Sequence, residues 1–162
     1  MSLLKNGEQL QDSWVSIADD AALPDHGAVI VSASRWESEN AALKARATPL
    51  GVRLGVDASL DVIADDLPHI ELVALAFPAF TDGRAYSIAR ILRDKYAYKG
   101  EIRAAGNVLR DQLAFMVRCG FDSFDVDDDI TPAMLQDAIA EIDAQYQPAS
   151  DVKIPAFRLR HS

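Results

Sequence analysis

From Ala28 onward the chain alternates short apolar runs with amphipathic stretches, and this regularity restricts the fold more than any other feature. "AVIVS" (Ala28 to Ser32), "GVRLGV" (Gly51 to Val56), "IELVALAF" (Ile70 to Phe77), "GEIRAAG" (Gly100 to Gly106) and "FDSFDV" (Phe121 to Val126) all read as strands. Strands that alternate with helices at such intervals build βα units, with right-handed crossovers and a parallel sheet under the helices. The near-continuous apolar character of "IELVALAF" predicts burial on both faces. The pattern predicts an open, mainly parallel, doubly wound α/β sheet, flavodoxin-like, with about five βα units. A partial (βα) barrel fits the same alternation, but eight full units need about 250 residues and the chain has 162.

Local signals add detail. Asn6-Gly7 lies between short apolar stretches and predicts a small N-terminal hairpin, because both turn residues need positive φ. "SWVSIA" (Ser13 to Ala18) is a further strand candidate. A helix is expected from about Arg35 to Ala47, and Ser59 can cap a short one after it. From Arg84 to Tyr96, Ala85, Ile88, Ala89, Leu92 and Tyr96 share one helical face. Arg84, Ser87, Arg90, Arg93 and Asp94 take the other, where Arg90 and Arg93 are expected to be solvated. A helix from Val108 to Cys119 ends at Gly120 as its C-terminal cap. It is apolar over most of its circumference, including Phe115 and Val117, so one side is expected to face a partner. Thr131-Pro132 starts the last helix, with Leu135, Ala138, Ile139, Ile142 and Tyr146 as its buried stripe. Residues 1–147 are thus expected to form a single α/β domain, and residues 148–162 a tail.

Composition excludes several function classes. Apolar residues make up 49% and charged residues 25%, as in an ordinary globular protein. A net charge of −9 argues against nucleic acid as the main partner, since phosphate binding needs Lys and Arg. No run reaches the roughly 18 apolar residues that span a bilayer, and the first twenty residues lack a signal-peptide apolar segment. A cytoplasmic protein with no membrane partner is expected. Cys119 is the only cysteine, which leaves no internal disulfide, no CxxC pair and no structural zinc site. His26, His69 and His161 have no metal-ligand spacing.

Ligands of parallel sheets bind where strands end and helices begin. At Phe80 to Arg84, Thr81 or Asp82 can cap the helix, Gly83 permits close backbone approach, and Arg84 with the free N–H groups attracts an anion. At Ala105 to Arg110, Gly106 leaves the strand and Asn107 opens a stretch carrying Arg110 and Asp111. If these loops are neighbours, Arg84, Asn107 and Arg110 converge on one anion, with Arg103 pointing to the same place from its strand. The alternative at both ends is an ordinary cap with solvated arginines. The third end is acidic, with Asp122, Asp125, Asp127, Asp128 and Asp129, but it lacks the glycine and distal glutamate of a calcium loop. No metal site is assigned. Cys119 reads as a packing residue, and Gln112 as a buried polar or interfacial group.

"FPAFTDGRAYSIARILR", "YKGEIRAAGNVLRDQL", "RCGFDSF" and "PLGVRL" together resemble the bacterial domain of unknown function nine-three-four, over about residues 49 to 126. Genes of that family commonly lie beside sulfite reductase, and its members are often labelled oxidoreductases of sulfite reduction. The resemblance implies sulfur assimilation, with sulfite, a related oxyanion or the sulfite reductase system as partner. It carries the family motif onto Phe80, Asp82, Gly83, Arg84, Tyr86, Ser87, Arg90, Arg103, Gly106, Arg110, Asp111 and Gln112. Asn107 stands where the family usually has Asp. No redox cofactor is legible, for there is no GxGxxG, no cluster-binding cysteine set and no haem motif.

Three functions therefore stand open. The first is an accessory, anion-binding protein of sulfite reduction that holds its ligand through Asp82, Gly83, Arg84, Ser87, Arg103, Gly106, Asn107 and Arg110. The second is an oxidoreductase or other enzyme of that pathway, with Asp82 or Asp111 as acid or base and Tyr86 or Ser87 orienting substrate. The third is a homodimeric interaction module without a small-molecule ligand.

Overall fold

The computed structural model describes residues 2–55, 58–77, 83–106 and 108–145. The N-terminal hairpin forms as expected: β1 (Ser2–Lys5) and β2 (Glu8–Leu10) pair antiparallel through Asn6 at φ 57° and Gly7 at φ 80°. Then come β3 (Trp14–Ser16), β4 (Ala28–Ser32), α1 (Ala33–Lys44) and β5 (Leu50–Leu54). Two 3₁₀ segments, Leu60–Val62 and Ala64–His69, lead to β6 (Leu72–Phe77) and α2 (Arg84–Asp94). After β7 (Glu101–Gly106), the expected helix is a 3₁₀ turn, Arg110–Gln112, followed by a short α3 (Leu113–Cys119). The described chain closes with β8 (Ser123–Val126) and α4 (Pro132–Gln145).

Ser59 and Thr131 cap as the sequence predicts, and Ser32 does the same for α1. Ser32, Ser59 and Thr131 accept backbone N–H bonds at the starts of α1, the first 3₁₀ segment and α4, at 3.1, 3.2 and 3.3 Å. Gly120, at φ 114°, ends α3 in the left-handed region.

The eight strands make one α/β sheet in the order β2-β1-β8-β7-β6-β5-β4-β3. From β3 to β8 every neighbouring pair is parallel, and β1 joins antiparallel to β8. A flavodoxin-like sheet reverses its strand order part-way and so places helices on both faces. Here β3 to β8 follow one another without reversal, and successive right-handed crossovers put their helices on the same face. The doubly wound expectation thus gives way to a curled, open half-barrel.

The curl has a covalent cause. β2 and β3 are opposite edges of the sheet, yet only residues 11–13 join them. That strap spans at most about 14 Å, whereas eight strands laid flat would hold their edges about 34 Å apart. The sheet must bend until the two edges approach.

Its convex face carries the main core: Val52, Leu54, Val73, Leu75, Ile102 and Phe124 meet Trp36, Leu92, Met116 and Leu135 from the four helices. On the concave face Ile30, Leu72 and Ala74 form a small second cluster under Trp14. β6 is buried on both sides, as its sequence predicts, with Leu72 and Val73 both at 0% exposure.

Two expectations are corrected. Arg93 does not solvate the outside of α2; its side chain is 6% exposed and ion-paired with Asp122. Its guanidinium also donates to the carbonyls of Tyr98, Gly100 and Gly120, at 2.7, 2.9 and 2.9 Å. Asp122 correspondingly leaves the acidic run, because it precedes β8 and lies buried at that strand's amino end.

A second ion pair ties α1 to the 3₁₀ region, where Asp66 binds Lys44 and accepts 3.1 Å from Nε1 of the fully buried Trp36. The Lys44 hydrogen bond holds the Asp66 carboxyl below its usual range, against the opposing effect of burial, with help from Trp36. A depressed carboxyl stabilises the fold above its unfolded value of 3.8 and loses that contribution as pH falls. Asp66→Asn should therefore lower the melting temperature near neutral pH and shrink that deficit in acid, which thermal unfolding at several pH values measures.

Candidate functional site

The carboxyl ends of β6 and β7 are adjacent, with Phe77 paired to Gly106 in the last register step. The two loops singled out in the sequence thus leave the sheet side by side. Gly106 sits at φ 102°, and a Cβ there would lie 2.7 Å from the Phe77 carbonyl oxygen, so only glycine fits. Gly83 is different. It is the N-cap of α2 at φ −90°, and a Cβ would meet nothing within 4 Å among the described residues. Backbone strain does not ask for glycine at this position. Thr81 and Asp82, the expected caps, lie outside the described residues, as do Phe80 and Asn107.

Arg84 and Ser87 are exposed on the first turn of α2, and Arg84 has a partner. Arg110 and Asp111 are exposed on the 3₁₀ turn and border a groove of about 350 Å³ that Asp129 also lines. Tyr86 stacks between helices, with ring centroids 5.2 Å from Phe77 and 4.8 Å from Phe115. Burial in this aromatic seam, with Cys119 near, raises its phenol above the ordinary value. Arg90 stacks on the exposed ring of Phe115 and donates 3.4 Å to the buried Sγ of Cys119. Gln112 is half-buried and accepts from the Leu109 N–H.

Arg103 lies elsewhere than at the loop tips. It is on the concave face of β7 with a side chain only 4% exposed, donating 2.9 Å to Asp12 and standing 3.6 Å from Glu101. Asp12 belongs to the strap of residues 11–13, which thereby crosses the concave face. Asp125, on the same face of β8, is half-buried, and burial pushes its carboxyl up. Arg103 opposes that shift, while Asp12 and Asp127 add to it. By alternation Arg53 points to this face too, since Val52 and Leu54 on either side face the main core.

Sequence reasoning missed Asp12, Arg53 and Asp125 as members of one surface. The signal was a charged residue inside each of the otherwise apolar strands "LGVRL" and "EIRAAG". In a parallel strand covered on both faces, such a residue needs a buried partner or a ligand.

A family model described as a bacterial protein of unknown function, DUF934, matches residues 51–157. The chain belongs to this family. The DUF934 segment begins within β5 and takes in Arg53, Arg84, Arg103, Gly106 and Arg110, whereas Asp12 and the hairpin precede it. No curated protein and no solved structure matches the chain. Among the described residues no helix is long and apolar enough to cross a membrane, and no group of three or more His, Cys, Asp or Glu could hold a metal ion.

Proposed function

We propose that this protein is an accessory protein of assimilatory sulfite reduction that binds a small oxyanion at the carboxyl edge of β6 and β7. The observation that carries this reading is the pairing of Phe77 with Gly106, by which the chain toward Gly83-Arg84 and the chain toward Arg110 start from adjacent strand ends. The α2 N-terminus offers backbone N–H groups and a positive dipole end, the features that attract an anion. Arg103 stands below on the same strand that ends at Gly106. The sulfite context rests on family resemblance, and the lack of any legible redox motif favours binding over turnover.

Calorimetric titration of sulfite, sulfate and nucleotides into the purified protein should show saturable binding of an oxyanion, weakened at least about tenfold by Arg84→Ala. No saturable binding of any of these anions overturns the reading. Turnover by the pure protein that is lost in Asp82→Asn would establish the enzymatic alternative instead. The homodimeric module keeps a separate support, because Ile91 on α2 and Phe115 on α3 are 41% and 43% exposed. Sedimentation of wild type against Phe115→Glu tests it.

A further inference from the structure

The concave face carries a line of cations. Lys5 pairs in register with Ser123, Ser123 with Arg103, Arg103 with Ala74 and Ala74 with Arg53. Arg53 and Arg103 are therefore two strands apart, about 10 Å between α-carbons, and the residue between them in the register is Ala74, part of the cluster on which Trp14 packs. One step toward the carboxyl ends, the paired residues Ala76 and Ala105 are equally small. Closed barrels fill such interior layers with Val, Ile and Leu. Alanine at these three positions puts only methyl groups on this stretch of the wall.

The two arginines differ in what they hold. Arg103 is buried and engaged by Asp12 and Glu101. Arg53 is half-buried and makes no hydrogen bond or ion pair among the described residues. Lys5 is 3.6 Å from Glu101, whose buried Oε1 accepts no hydrogen bond. Among the described residues Asp12 is the charged partner of Arg103 that does not come from the sheet, and its side chain is 36% exposed. Its carboxylate, on a three-residue strap, gives Arg103 what an oxyanion would give it.

We infer that the concave wall of the sheet is a small-oxyanion site gripped by Arg53 and Arg103, and that Asp12 is its built-in competitor, displaced from Arg103 as the ligand enters. The ligand class rests on the function proposed above, while Arg53 and the gate are new to it. A bidentate guanidinium fork suits either partner, so exchange of carboxylate for oxyanion keeps Arg103 paired throughout.

Calorimetric titration with sulfite, sulfate and acetate tests this on the full chain, comparing wild type with Arg53→Ala and Asp12→Asn. Arg53→Ala removes a side chain with no protein partner and should leave the melting temperature unchanged while weakening oxyanion binding at least tenfold. Asp12→Asn should tighten it severalfold or more. Wild-type affinity in both variants, with loss in Arg84→Ala, overturns the concave site and leaves the proposed function standing. If wild type and Asp12→Asn bind sulfate through Arg53 but refuse sulfite, the site stands and the sulfite reading falls. Preference for acetate over both oxyanions overturns the ligand class, and no binding of any probe to Asp12→Asn overturns the site itself.

Discussion

Replacing Arg93 by alanine should cost about 3–5 kcal/mol of stability, the loss expected when one partner of a buried ion pair is removed. The reason is the company this side chain keeps. Asp122 is 7% exposed and also accepts a 3.0 Å hydrogen bond from the Ile102 N–H. Without the guanidinium it is a buried charge beside three carbonyls, those of Tyr98, Gly100 and Gly120, that also lose their donor. Urea unfolding of Arg93→Ala, Asp122→Ala and the double variant should show the double losing clearly less than the two singles combined. A loss under about 1 kcal/mol for Arg93→Ala would show that water replaces the lost donors.

Gly106→Ala is the second large effect, expected at about 2–4 kcal/mol from a left-handed φ together with a steric clash. The alanine methyl would stand 2.7 Å from the Phe77 carbonyl oxygen, which is backbone and cannot swing away. Gly27→Ala separates the two contributions, since Gly27 has φ 91° but nothing within 4 Å of a Cβ. That variant should lose only the conformational part, about 1–2 kcal/mol. Because the clash pries β6 from β7 where the two site loops leave, Gly106→Ala should also weaken anion binding. Thermal unfolding and titration of the same samples measure both.

The fold was legible wherever the deciding interaction is local. Asn6-Gly7, Ser59, Thr131 and Gly120 stand where the backbone needs a special φ or an acceptor, and the apolar runs place β4 to β8 to within a few residues. Strand order was not legible, because alternation is the same in a doubly wound sheet and in a half-barrel. It is the three-residue strap between β2 and β3 that separates them, and its meaning depends on knowing which strands are edges. Arg93 misled for a related reason. Its helical position is opposite the apolar stripe, but α2 ends where Tyr98, Gly100 and Gly120 turn their carbonyls inward, a convergence of segments distant in sequence. The loop arginines Arg84 and Arg110 could be found because strand-to-helix turns leave a local mark. Asp12 could not, since its partner Arg103 is 91 residues away.

The edge pairing also bears on how the chain is made. β1 precedes β3 to β8 in the chain, yet among the described residues its sheet neighbour besides β2 is β8, Ser123–Val126. β3 to β8 can add to one another in order of synthesis, each against the strand just before it. The hairpin has no partner until nearly the whole sheet exists, and the loop it must then close is the longest in the fold. Pairing of β1 with β8, and with it the meeting of Asp12 and Arg103, therefore joins the two ends of the sheet across the longest sequence separation in it.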